Sequence, residues 1–122
     1  MKKSLLLLII PLASIFNTQC LADNWSDEDN ERQWAYTVLH AVDWAQTHSI
    51  RNRADKFEIN PILGKQPSKG EVNKYFAGTL IAHWVVAKAL PPKWRKAFQY
   101  VTISMERGII DHNIRAGIRI NF

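Results

Sequence analysis

From residue 27 onward, apolar positions recur at helical spacing in three blocks. The first predicts a helix from about Asp27 to Arg53, a stretch without Gly or Pro, with Ser26 as N-cap and acidic residues in the opening turn. Trp34, Val38, Ala41 and Ala45 form one stripe, Tyr36, Leu39, Asp43 and Ile50 a second, and Thr37, His40, Trp44, His48 and Arg51 a third. Two apolar stripes out of three describe a helix buried on most sides. The second helix starts at Ser68, which stands at capping-box spacing from Glu71. Its face is Val72, Phe76, Thr79, Leu80, His83, Val86, Ala87 and Leu90, and Pro91-Pro92 closes it. The third runs from about Pro92 to Asp111, with Trp94, Phe98, Val101, Met105 and Ile109 as its stripe.

Two segments break the helical period. Residues 54–67, punctuated by Asn60-Pro61, Gly64 and Pro67 and anchored by Phe57, Ile59, Ile62 and Leu63, read as a structured loop. At the C-terminus, Ile114, Ala116, Ile118, Ile120 and Phe122 alternate with Arg115, Gly117, Arg119 and Asn121, which predicts a short extended tail. A lone strand is unstable, so the tail is expected to lie on the helices or pair with a partner, and Ile114–Phe122 is a contact candidate. The pattern as a whole predicts an all-α fold: one three-helix domain over residues 23–122 with that tail.

The first 22 residues are of another kind. Lys2 and Lys3 precede an apolar run from Leu5 to Phe16 broken only by Pro11 and Ser14, and Cys20-Leu21-Ala22 places small residues where signal peptidase cuts. This reads as a secretory signal cleaved after Ala22, and hence an exported protein of the periplasm or cell envelope. Lipidation at Cys20 is disfavoured because Gln19, just before it, is not small. Cleavage removes the only cysteine, so packing rather than disulfides must hold the mature chain. It also lowers the net charge from +5 to +3. So small a charge, with no recognisable module of basic and stacking residues, argues against nucleic acid as a partner. An envelope protein or a membrane surface fits better.

A helical bundle within the membrane is the alternative location, at the inner membrane. Against it, Asp43 sits in the middle of the first helix, and a mid-span Asp costs roughly 2.5–3.5 kcal/mol on insertion scales. Only the second helix, uncharged between Lys74 and Lys88, could span, with its lysines snorkelling.

Polar residues on apolar faces are the candidates for chemistry. Asp43 must be paired, hydrogen-bonded or protonated if buried. Its simplest role is a structural polar hub with Gln46, Thr47, Glu58 and Asn60, capping the 54–67 loop. His83 lies mid-face on the second helix, most simply as a core histidine with one partner. Asp43, Glu58 and His83 could also meet as divalent-metal ligands or as an acid/base set, since the loop joins the two helices. No pair has diagnostic ligand spacing. His40 stands three residues from Asp43, but the mature chain offers no cysteine nucleophile and no Gly-x-Ser-x-Gly elbow. No cofactor motif is present. Trp34, Trp44, Trp84 and Trp94 read first as core packing, with a membrane interface or a glycan platform as the other uses of such residues.

The run Val42-Asp43-Trp44-Ala45-Gln46-Thr47, then Glu58-Ile59-Asn60-Pro61-Ile62-Leu63-Gly64, Pro67-Ser68, Tyr75-Phe76, Leu90-Pro91 and the closing Gly117-Ile118-Arg119 with Phe122, resembles a family of small exported or membrane-associated proteins of proteobacteria and their phages. The resemblance covers nearly all of the mature chain. It implies an envelope location and a bacterial or phage source, and no catalytic residues. Three functions follow as expectations: a non-catalytic envelope protein acting by protein or surface contact, a metal-assisted envelope hydrolase using Asp43, Glu58 and His83, or a small helical integral membrane protein.

Overall fold

The computed structural model describes residues 25–51, 62–64, 66–118 and 120, the side chain of Arg51 excepted. They form three helices, α1 (Asp27–Arg51), α2 (Lys69–Ala89) and α3 (Pro92–Arg115). The fold is all-α. The signal segment and loop residues 52–61, with Glu58 and Asn60 among them, lie outside the described residues.

Both predicted N-caps form. Ser26 Oγ accepts from the Asp29 N–H at 3.0 Å while Asp29 Oδ2 accepts from the Ser26 N–H at 3.1 Å, a capping box with Asp in the place usually held by Glu. Ser68 and Glu71 make the same reciprocal pair at the start of α2. Pro91 and Pro92 then turn the chain into α3 within two residues of the end of α2.

Contacts along the helices fix their directions. Asp29, Gln33, His40 and Gln46 of α1 meet Arg95, Gln99, Glu106 and Asn113 of α3 in that order, so these two helices are parallel. Gln33, His40 and Trp44 meet His83, Thr79 and Asn73, so α2 runs against α1. Helix α1 packs on both others.

The third helix is longer than its apolar stripe predicts. Ile114 and Arg115, assigned to an extended tail by their alternation, are its last two helical residues. A Schellman motif ends the helix: the Ile118 N–H bonds to Asn113 O at 2.9 Å and the Gly117 N–H to Ile114 O at 3.0 Å. Gly117 adopts φ +78° and Ile118 turns back to be buried. Residues 119, 121 and 122 lie outside the described set.

The larger departure concerns which faces are buried. The second stripe expected on α1 is buried at Tyr36, Asp43 and Ile50, but the first, and most of that on α3, points outward: Trp34 is 54% exposed, Val38 59%, Trp94 60%, Val101 58% and Met105 61%. The positions that face inward are largely polar. On α1 these include Asp29, Gln33, His40, Asp43, Gln46 and Thr47, and on α3 they are Arg95, Gln99, Glu106 and Asn113. Polar residues recurring at three- and four-residue intervals define a face as well as apolar ones do, and here they define the interior. Among the described residues, no helix is long and apolar enough to cross a membrane.

Candidate functional site

The interior polar residues form a column of three bonded clusters along the bundle. At the end where α1 begins, Arg95 is 2% exposed and holds three elements. Its Nε donates to Ala87 O at 2.7 Å and Nη2 to Leu90 O at 2.9 Å, filling carbonyls left open at the end of α2. Its Nη1 donates to Asp29 Oδ2 at 2.8 Å. Arg32 pairs with the other oxygen, Asp29 Oδ1. Trp25 lies against the Arg95 guanidinium, its ring centre 4.9 Å away. Burial pushes the Asp29 carboxyl up, but the Ser26 N–H and the Arg95 and Arg32 guanidiniums outweigh it and hold the group below the usual carboxylate range.

The middle cluster has one direction only. Arg32 Nε can only donate, so Gln99 Oε1 accepts from it at 2.9 Å. Gln99 Nε2 then donates to Asp29 O at 3.0 Å and to Gln33 Oε1 at 3.3 Å. That leaves Gln33 Nε2 to donate to His83 Nδ1 at 2.9 Å, so His83 carries its proton on Nε2 and donates to Thr102 Oγ1 at 2.8 Å. Thr102 passes its own hydrogen to Phe98 O at 2.8 Å. One arginine thus sets every amide orientation and the histidine tautomer. The His83 ring is stacked on Tyr36, with centres 3.5 Å apart, and on Phe98 at 4.5 Å.

The third cluster centres on His40. Thr79 Oγ1 donates to Tyr75 O at 2.7 Å, so His40 Nε2, which lies 3.0 Å from both Thr79 Oγ1 and Phe76 O, must bear a hydrogen. His40 Nδ1 is 2.7 Å from Glu106 Oε1, and a single proton lies between them. Tyr36 Oη stands 3.2 Å from the same nitrogen, and Glu106 Oε2 is buried without a hydrogen-bond partner among the described residues. Further along, Asn113 Nδ2 donates to Gln46 Oε1 at 2.9 Å, and Asn73 Oδ1 accepts from Trp44 Nε1 at 3.0 Å.

The sequence candidates fall as follows. Asp43, Gln46 and Thr47 are all buried, so three members of the expected polar hub share the interior. The other two, Glu58 and Asn60, lie outside the described residues. His83 is a buried core histidine with both ring nitrogens engaged, so neither is left open to a metal. Among the described residues, no three His, Cys, Asp or Glu side chains stand close enough to hold a metal ion. Trp84 is half-buried and donates to Thr37 Oγ1 at 3.2 Å, whereas Trp34 and Trp94 are exposed. Sequence reasoning missed Arg95, Gln99 and Glu106. Their signal was present as a polar repeat in α3 at positions 95, 99, 102, 106 and 113, in register with 29, 33, 40 and 46 of α1.

Chemically, the column is occupied with itself. Apart from Glu106 Oε2, its buried donors and acceptors among the described residues are engaged, and the surface depressions found on α3 lie on its outer side, beside Tyr100, Val101, Ser104, Met105, Arg107 and Asp111. Compared with known proteins, the chain matches no family model, no curated protein and no solved structure.

Proposed function

We propose that the chain is a small helical protein of the cell envelope that acts by surface contact and not by catalysis. One observation carries this reading: among the described residues the buried polar side chains are engaged, Glu106 Oε2 excepted, largely in bonds between helices, while large apolar side chains are turned outward on all three helices. Monomeric soluble proteins rarely expose extended apolar surface unless something covers it. The export-type N-terminal segment supports the envelope as the place of work.

Fractionation of cells expressing the full chain, with mass measurement of the recovered protein, tests the proposal. The expected result is recovery in the envelope fraction with Asp23 as the first residue. Recovery from the cytosol at full mass would remove the envelope reading.

A further inference from the structure

The outward apolar residues are bounded by charge at both ends of the bundle. On α3, no charged side chain is exposed between Lys96 and Arg107, a span of about 16 Å at 1.5 Å per residue. On α2 the same holds from Lys74 to Lys88, about 21 Å, with Gly78, Ile81, Ala82 and Val85 outermost. On α1, no exposed charge occurs from Gln33 to Ile50, about 26 Å, because Asp43 faces inward. The packing sets Gln33, His83 and Gln99 at one level and His40, Thr79 and Glu106 at another. Beyond His40, α1 runs beside Arg107 to Arg115, so the three stretches share one uncharged belt about 16 Å deep. Its margin at the start of α1 carries Asp27, Glu28, Glu31, Lys88, Lys93 and Lys96. Among the described residues the other margin is basic: Lys69, Lys74 and Arg107 stand there beside Glu71, which is bonded to the Ser68 N–H, and the Arg115–Asp111 pair at 2.9 Å.

Building on the contact reading above, we infer that the partner is a phospholipid bilayer. The belt lies among acyl chains, and the Lys74–Arg107 margin faces anionic headgroups. A second copy or a single protein partner would cover one side, yet apolar residues face outward on every helix: Trp34 and Val38 on α1, Ile81 and Val85 on α2, Val101 and Met105 on α3. Lipid surrounds a bundle on all sides. Lysines at the margins can reach headgroups while their stems stay in hydrocarbon, and Trp94 beside Lys93 suits the same boundary. The polar residues of α1 and α3, such as Gln33, His40, Asp43, Arg95 and Gln99, face the interior, where lipid would not meet them. Inside, hydrogen bonds take over the role that apolar burial has in water.

Flotation of the purified protein beginning at Asp23 with vesicles of phosphatidylcholine, with and without phosphatidylglycerol, tests this. Tryptophan quenching by lipid brominated on the acyl chains is the second readout. The chain should float with both vesicles, more tightly with phosphatidylglycerol, and be quenched. Lys74→Gln with Arg107→Gln should weaken binding to the anionic vesicles about thirty-fold, at the usual contribution per cation. Val38→Glu with Val101→Glu, at exposed positions, should abolish flotation while the helical circular-dichroism signal persists. A chain that ignores vesicles but forms a defined dimer, dispersed by Val101→Glu, overturns the lipid inference and leaves the contact reading standing. A monomer soluble without detergent that binds no vesicle overturns both. Equal binding to the two vesicle types overturns the headgroup assignment.

Discussion

At the scale of single residues, the polar interior draws its strength from pairs that cannot be broken on one side only. Asp29 is the sharpest case, because it satisfies the cap of α1 and faces both Arg95 and Arg32. Its carboxyl titrates below the ordinary range in the folded protein. Its contribution to stability is therefore fully present above the unfolded value of about 3.9 and fades as pH falls through the lower folded value. Asp29→Asn should cost about 3–5 kcal/mol near neutrality, by leaving Arg95 buried without its counter-ion, and should flatten the acid limb of a melting-temperature profile. A variant that keeps the wild-type acid limb would show that another carboxylate sets it. Glu106 tests the neighbouring cluster. Glu106→Gln can still offer a partner to His40 Nδ1, whereas Glu106→Leu leaves that nitrogen only the longer contact to Tyr36 Oη and should be less stable than the Gln variant by about 1 kcal/mol. Equal melting of the two would mean that the bond to His40 contributes nothing.

At the scale of elements, helix ends decide more than helix faces. Gly117 closes α3 with a backbone angle that side chains rarely adopt, while a Cβ added there meets nothing within 4 Å. Gly117→Ala should therefore destabilise by about 1 kcal/mol through the backbone alone, and Gly117→Asn by less. Gly108, mid-helix and equally open, should respond with the opposite sign: Gly108→Ala stabilises by up to about 1 kcal/mol. Thermal melts of the three variants check the order. The same ends show what was legible in the sequence. Ser26, Ser68 with Glu71, and Pro91-Pro92 are local signals, and each bounds a helix where it was expected. The run from Ile114 alternates as a strand would, but Gly117 two residues past Arg115 is a stop signal of the helical kind, and the Schellman bonds it permits extend α3 past Asp111. On α2 the usual rule held, since Val72, Phe76, His83 and Ala87 of the expected face are buried, but on α3 and the first stripe of α1 it did not. The assumption that apolar stripes face the core sent Trp34, Val38, Trp94 and Val101 inside, and the matching polar repeats at 29, 33, 40 and 46 and at 95, 99, 106 and 113 went unread as an interface. Asp43 was assigned correctly to the interior, because it lies on the stripe of Tyr36 and Ile50, which are themselves buried.

At the scale of the whole molecule, an interior built from amides, hydroxyls and ion pairs behaves oppositely in the two solvents it could meet. In water, replacing a satisfied buried polar pair by well-packed leucines is often neutral or stabilising, because apolar burial then adds to the drive for assembly. In hydrocarbon there is no such drive, since lipid tails are as apolar as leucine, and interhelical hydrogen bonds and close packing hold the helices together. Thr37 and Trp84 provide the test: Trp84 Nε1 donates to Thr37 Oγ1 at 3.2 Å between α1 and α2, at the level of the belt. Thr37→Val with Trp84→Phe removes both partners of that bond at once. Measured in lipid or detergent, the double variant should lose about 0.6 kcal/mol, the average for hydrogen bonds between membrane helices. Stabilisation under those conditions would mean that apolar burial still drives assembly, as in water, and that the outward-facing belt needs a covering other than lipid.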